Sequence, residues 1–249
     1  MKNQKPCPVA LRVLETAPMR SKKRSAIEDL LYVMARLRGP GGCPWDHEQD
    51  HLTLRFHAVE EVYELLDAIE AGDDHAMEEE LGDMLLQIVF HAQMAKERGA
   101  FDFEAVARHI TNKLIHRHPH VFGSAKIKDA AGVLAQWDQL KHAEKKGTRH
   151  ERASVLDGIP KHLPALLRAE KLVKKARKAE LLADVSPQRK PSKTALARQL
   201  LELVCLAQQH RWSAEELLRM EAKRLERMLR GIEARRTAEA VHSKKKSRP

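Results

Sequence analysis

The sequence predicts an all-α fold. Ala, Leu, Glu, Lys and Arg dominate its 249 residues, and these residue types favour helix. Apolar residues recur at spacings of three and four, while no stretch shows the period-two alternation of a half-buried strand. Glycine and proline clusters cut this pattern into segments of helical length.

The first helix is expected over Ile27–Arg38, where Ile27, Leu30, Leu31, Met34 and Leu37 form one stripe, and "GPGG" at 39–42 ends it. A second runs from about Leu52 to Ala71 with Val59, Val62, Leu65, Leu66 and Ile69 on one face. "GDD" at Gly72–Asp74 turns the chain into a third, His75 to Lys96, with Met77, Leu81, Met84, Leu85, Ile88 and Ala92 inward. Asp102 has the side chain to cap a fourth helix, which "HPHVFG" stops after Arg117. Ala130–Lys145 reads as a fifth.

From Gly147 the texture becomes polar and basic, and "SPQRKPSK" at 186–193 reads as a linker. Two further helices are expected, about Thr194–His210 and Ser213–Arg236. The final "HSKKKSRP" lacks apolar residues and is expected to be disordered.

Charge divides the chain in the same way. Residues 1–25 carry 7 basic and 1 acidic side chains, residues 26–144 carry 11 and 22, and residues 145–249 carry 27 and 12. The net +10 is therefore a property of the ends, and the middle is an acidic module that repels polyanions unless cations intervene. The ends almost lack aromatic residues, so nucleic acid is expected to bind only non-specifically. Cys7, Cys43 and Cys205 lie far apart, which argues against a disulfide framework or a cysteine zinc site. The first 25 residues hold no apolar run long enough for a signal peptide or membrane span, so no membrane association and a cytoplasmic location are expected.

One internal repeat is visible. "LLQIVFHAQ" (Leu85–Gln93) recurs as "LLELVCLAQ" (Leu200–Gln208) with five identities in nine positions, and "DFEAVARHITNKL" (102–114) parallels "SAEELLRMEAKRL" (213–225). The C-terminal part thus reads as a shortened second copy of the middle module. The expected organisation is a basic extension (1–25), a catalytic module (26–146), a basic helical linker (147–193), the second copy (194–238) and a disordered basic tail (239–249).

The acids carry the chemistry. Glu61 and Glu64 in "EEVYE" share a face of the second helix, and Glu80 and Asp83 in "EEELGD" share a face of the third. If the two helices pack across the "GDD" turn, these four carboxylates converge, and such a cluster demands a cation. Oxygen-only ligands favour Mg²⁺ or Mn²⁺. Gly82, costly within a helix, is expected to mark a close approach of backbone or substrate.

E-E-x-x-E followed by E-x-x-D on the next helix, with "GCPWD" before and "RHPHVF" after, resembles the MazG family of nucleoside triphosphate pyrophosphohydrolases. The resemblance is continuous from about Ile27 to Glu144 and weaker at "LPALLRAEK" (163–171). It implies an all-α, Mg²⁺-dependent homodimer that cleaves NTPs and dNTPs to the monophosphate and pyrophosphate, often built from two tandem modules. It implies Glu61, Glu64, Glu80 and Asp83 as metal ligands, Lys113 and Arg117 as phosphate contacts, and Trp137 and Lys141 as base and phosphate contacts. This chain departs from the family pattern at Asp50, where Thr is usual, and at "RFH" (55–57), where Pro-Tyr is more typical. In the second copy the repeat sets Ala195 and Arg198 opposite Glu80 and Asp83, so that copy is expected to be catalytically dead.

His47-Glu48-Gln49-Asp50-His51 matches the zinc-protease pattern H-E-x-x-H, but it follows Gly-Gly-Cys-Pro-Trp-Asp in what reads as a loop and cap. A zinc site is therefore not expected there. A di-iron bundle requires Glu-x-x-His pairs on core helices, and the only such pair near the module is Glu48–His51, in the loop. Trp45 is expected to be a structural anchor, His91 an interface or packing residue, and His116, His118 and His120 capping and packing residues around Pro119.

Overall fold

A computed structural model describes residues 24–145, 147–148, 151–183 and 191–246. Among them are ten α-helices and no strand. The chain divides into two compact units, one reaching Ile127 and the other beginning at Lys128. The fold class read from the sequence is therefore the one observed. Ala130–Ala143, read from the sequence as part of the catalytic module, lies in the second of these units. The N-terminal extension and most of the "SPQRKPSK" segment lie outside the described residues.

In the first unit, α1 (Ala26–Arg38) begins with a capping box in which the Ser25 side chain accepts from Glu28 N and Glu28 accepts from Ser25 N. The short α2 (Pro44–Glu48) is followed by turns up to α3 (His57–Ala71). The second sequence-predicted helix therefore starts later than Leu52. In that turn Asp50 Oδ1 accepts from Leu52 N at 2.7 Å and Thr53 N at 2.8 Å. Aspartate at the position where Thr is usual thus satisfies the turn by itself.

Gly72, in the left-handed region at φ 66°, ends α3, and Asp73 immediately caps α4 (Asp74–Glu97) by accepting from His75 N and Ala76 N. This two-residue reversal folds α3 and α4 into a helical hairpin. Asp102 caps α5 (Phe103–Arg117) as expected, accepting from Ala105 N at 2.9 Å. The His118 ring lies 2.6 Å from Leu114 O where α5 gives way to α6 (Pro119–Phe122).

The core of this unit is Met34, Leu54, Val89, Phe90 and Met94, flanked by Ile27, Leu30, Leu31, Leu85, Leu86 and Phe103. Arg38 locks the assembly. Its Nε and Nη2 grip the Glu97 carboxylate, its Nη1 donates to the carbonyls of Asp46 and Gln49, and its guanidinium lies 5.4 Å from the Phe90 ring centroid. One side chain thereby joins the ends of α1, α2 and α4.

Periodicity misassigned one face of α4. The helix buries Val89, Phe90, Ala92, Met94 and Ala95, whereas Leu81 and Ile88 are exposed. On α3, Val59, Val62, Leu66 and Ile69 are exposed too. The stripes exist, but no described residue covers them. Trp45 is 54% exposed and is no anchor.

The second unit contains α7 (Ala130–Ala143), α8 (Ala165–Lys178), α9 (Lys193–Gln209) and α10 (Ala214–Lys246). The segment read as a linker is structural: α8 packs on α10 through Leu172, Ala176 and Leu229, joined by Leu156 and Leu181. Ions fix this pairing. Arg168, itself buried, meets Glu226 at 2.5 Å, Arg230 bridges Glu226 and Asp157 at 2.8 Å each, and Glu215 accepts from the first helical N–H of α8, Ala165 N, at 2.9 Å. α10 continues to Lys246 rather than stopping near Arg236, so much of the tail expected to be disordered is helical.

The repeat recurs in backbone geometry. Gly99 (φ 69°) turns α4 toward α5 with Ala100 N bonded to Ala95 O at 2.9 Å, and Arg211 (φ 58°) turns α9 toward α10 with Trp212 N bonded to Ala207 O at 2.9 Å. Superposing these turns sets Ser192 and Ala195 opposite Glu80 and Asp83; the nonapeptide register sets Ala195 and Arg198 there. Neither register restores a carboxylate. The apolar residues of α9 at Leu200, Leu203 and Val204 are exposed, and only Ala207 of that helix is buried.

Leu172 is fully buried between α8 and α10. Leu172→Ala should lower the unfolding free energy by about 2–5 kcal/mol. Urea unfolding followed by circular dichroism tests this, and a midpoint unchanged from wild type would show that the α8–α10 pairing does not hold the unit together.

Candidate metal centre

Two facing helices supply the site. Glu61 and Glu64 stand one turn apart on α3, and Glu80 and Asp83 one turn apart on α4, so the hairpin at Gly72 sets both pairs on the seam between the helices. Carboxylate oxygens of Glu61, Glu64 and Glu80 lie within 4.8 Å of one another. Asp83 is close enough to act on the charge of both Glu61 and Glu80. Of the four acids that the sequence singled out, three thus converge, and Asp83 stands within their electrostatic reach. The neighbouring acids separate from them: Glu60 faces His57 Nδ1 at 3.6 Å, while Glu78 and Glu79 are exposed.

The electrostatics are those of an uncompensated cluster. Loss of solvent raises the pKa of the Glu61 carboxyl above the ordinary carboxylate range, and Asp83 and Glu64 raise it further against the hydrogen bond from Gln87. Glu80 is raised by desolvation first, then by Glu64, Asp83 and Glu79. Glu80 Oε2 is buried and has no hydrogen-bond partner among the described residues. An acceptor in that state lacks a donor or a cation. Hard oxygen donors at this mutual spacing fit a divalent cation of the Mg²⁺ type, whose remaining positions water and phosphate can fill. Glu61, Glu64, Glu80 and Asp83 are the residues able to hold it.

Gln87 was missed by the sequence reading. Its Nε2 donates to Glu61 Oε1 at 3.2 Å, orienting that carboxylate from one turn beyond Asp83. The i, i+4 spacing from Asp83 was the available signal. A Cβ at Gly82 would meet nothing within 4 Å among the described residues, so of the two approaches expected there a close backbone neighbour is not the reason for the glycine.

Lys113 and Arg117 lie one turn apart on α5, which packs on α4, so they share a unit with the acids. Trp137 and Lys141 do not: both are on α7, in the second unit, with Lys141 Nζ 5.5 Å from the Trp137 ring centroid. The two histidines of H-E-x-x-H engage different groups. α2 ends at Glu48, His47 Nε2 lies 2.9 Å from Gly39 O, and His51 Nδ1 lies 2.8 Å from His91 Nδ1. They share no helical face.

Comparison with known proteins places this geometry. Residues 49–122 match the family model of the MazG nucleotide pyrophosphohydrolase domain. The chain is 47% identical over 150 residues to a nucleoside triphosphate pyrophosphohydrolase of Escherichia coli (strain K12), covering 60% of this chain and 56% of the relative. It is 46% identical over 150 residues to the nucleoside triphosphate pyrophosphohydrolase/pyrophosphatase MazG of Thermotoga maritima, with the same shares covered. The chain thus spans little more than half the length of these two relatives. An uncharacterized 26.1 kDa protein in the blaB 3′ region of Streptomyces cacaoi is 43% identical over 196 residues, covering 78% of this chain and 77% of its own. The matched domain holds all four converging carboxylates and both α5 cations, and the chain belongs to the MazG family.

Proposed function

We propose that this protein hydrolyses nucleoside triphosphates, ribo or deoxy, to the nucleoside monophosphate and pyrophosphate. The observation that carries this reading is the convergence of Glu61, Glu64 and Glu80 within 4.8 Å, in the field of Asp83, inside the residues that match the MazG domain. Mg²⁺, or Mn²⁺ with its similar preference for oxygen, would bind these four carboxylates and supply charge neutralisation at the phosphates. Glu61, oriented by Gln87, and Glu80, with its unpaired oxygen, hold the facing edges of that centre. Lys113 and Arg117 bind the β- and γ-phosphates and stabilise pyrophosphate as it leaves, while water forms the new bond to the α-phosphorus. Trp137 and Lys141 serve as base and phosphate contacts. The second copy, with no carboxylate opposite Glu80 or Asp83 in either register, is structural rather than catalytic.

The working form is a homodimer. Val59, Val62, Leu66, Ile69, Leu81 and Ile88 leave a wide apolar surface exposed on α3 and α4. A contiguous face of that kind marks an interaction site.

An assay of Mg²⁺ with a panel of NTPs and dNTPs should release pyrophosphate and the monophosphate. Glu61→Ala, Glu80→Ala or Asp83→Ala should each lower kcat/KM by more than ~100-fold, since losing a ligand exceeds the cost of disturbing a ligand's outer partner. Orthophosphate release with accumulating diphosphate would contradict the reaction, and a near-normal variant would remove its residue from the centre.

The raised carboxyl pKa values give a stability signature of definite sign. A carboxyl whose folded pKa exceeds its unfolded value favours folding below the unfolded pKa, and that contribution is lost as pH rises through the folded value. In metal-free protein, Glu80→Gln should therefore match wild type in acid and become the more stable form as pH rises past 4.5, the ordinary glutamate value. Excess Mg²⁺ should reverse the order, because the variant lacks a ligand. Thermal unfolding across pH with chelator and with Mg²⁺ reads both, and a difference independent of pH and metal would refute the cluster electrostatics.

Sedimentation equilibrium should give twice the chain mass of 28.4 kDa at micromolar concentration. A mass of one chain would show that the α3–α4 face is not a self-association surface.

A further inference from the structure

The second unit carries most of the chain's positive charge, and its two packed helices sort that charge by side. Residues 145–249 hold 27 basic and 12 acidic side chains. α8 and α10 meet through Leu172, Ala176 and Leu229, which mark the inward direction of each helix. At about 100° per residue, Lys171 then shares one flank of α8 with Lys175, and Lys223 and Arg227 share one flank of α10 with Arg219 and Arg230. Lys175 Nζ donates to Asp157 O at 2.6 Å, and Arg230 meets Asp157 Oδ1 at 2.8 Å. One residue gripped from both helices shows that the two flanks open on the same side of the pair.

Acids do not balance this side. Glu226 is engaged by Arg168 and Arg230, and Glu215 by Arg219 and the Ala165 N–H. Glu221 and Glu239 fall on the opposite flank of α10. Glu216, at the start of α10, is the exposed acid that remains on the cationic flank of that helix. Lys171, Lys223 and Arg227 are exposed and make no ion pair among the described residues. Lys223 and Arg227 stand about 6 Å apart along the helix axis, and packed helices run about 8–10 Å apart. The cations therefore form a strip, which suits a polymeric anion better than a small one. An amphipathic helix on a lipid surface keeps its apolar face for the bilayer, whereas α8 and α10 bury theirs against each other. Neither helix contains Phe, Tyr or Trp, so the strip offers no platform on which unpaired bases could stack. A duplex needs no such platform and presents one charge per about 1.7 Å of its axis.

We propose that the cationic side of the α8–α10 pair docks a nucleic-acid duplex, with Lys171, Lys223 and Arg227 contacting backbone phosphates without reading sequence. The inference goes beyond the hydrolase reading and does not depend on it, since none of these residues belongs to the acidic unit. It gives the second unit, which lacks the carboxylates of the first, a ligand of its own. The ion pairs that fix α8 on α10 would then also hold the two rows of cations in place.

Fluorescence anisotropy of the full chain with labelled DNA duplexes of two unrelated sequences tests this. Both should bind, with affinities within about twofold of each other. Affinity should fall by about 40-fold or more between about 50 and 200 mM salt, the drop that three phosphate contacts produce on a duplex. Combining Lys171→Glu, Lys223→Glu and Arg227→Glu should weaken binding more than about tenfold and flatten the salt dependence. The same three positions changed to Gln should move both quantities in the same direction, which guards against misfolding of the first variant. A control with an equal change of charge on the other side of α10, Arg224→Glu with Arg235→Glu and Arg236→Glu, should stay within about threefold of wild type. Equal losses in the control and the flank variant would reduce the binding to net charge and overturn the proposal. Unchanged affinity in both flank variants would place the contact elsewhere on the chain and overturn it too, as would failure of wild type to bind either duplex. Vesicles of phosphatidylserine and phosphatidylcholine, and polyglutamate, should not displace the duplex; if either binds the flank in its place, the partner is a membrane or an acidic protein and the proposal fails.

Discussion

Four like charges on two facing helices are the constraint around which the first unit is built. Nothing in α3 or α4 alone favours bringing Glu61, Glu64, Glu80 and Asp83 together, and desolvation makes their mutual repulsion worse. The hairpin therefore has to be held by other interactions. At one end Gly72 and the Asp73 cap reverse the chain within two residues. At the other, Arg38 binds Glu97 and the carbonyls beside α2, while Met34, Val89 and Phe90 bury the flank of α4 against α1. The acids sit between these anchors. Charge repulsion of this kind is a local conflict that the surrounding caps, ion pairs and core offset.

The helix that carries two of the acids also faces two ways. Its α1 side is a dry core, and its α3 side presents carboxylates, then Gln87, then an apolar cleft. The same helix leaves Leu81 and Ile88 in the open beside the exposed stripe of α3.

The second unit repeats the α4–α5 turn without the acids of α3 and α4. Its α9–α10 turn reproduces the backbone bonds of the α4–α5 turn, although a non-glycine residue, Arg211, must adopt positive φ there. With no acids to oppose, its ions do a different job. Arg168 on α8 meets Glu226 on α10, Arg230 holds Glu226 from one turn along α10, and Glu215 caps α8 from across the interface. A charge-rich helix such as α8 has too few apolar residues to specify its position by burial alone, and these bonds fix its register on α10.

The sequence by itself determined the helical class, most helix ends and the identity of the four acids. These are local properties: spacing at 3.6 residues, cap residues such as Asp102, and i, i+3 pairs like Glu80 and Asp83 are written in neighbouring residues. The tertiary structure decided what depends on residues distant in the chain. It chose which side of α4 is buried, because Leu81 and Val89 are equally apolar and only the docking of α1 separates them. It turned the basic "linker" into α8 of a packed pair, since composition does not reveal a partner some fifty residues away, as in the Ala165–Glu215 bond. It placed Trp137 and Lys141 in the second unit, and it showed Gln87 bound to Glu61, 26 positions earlier. A hydrogen bond of that range needs two helices to meet in one register, and one helix's periodicity does not contain that information.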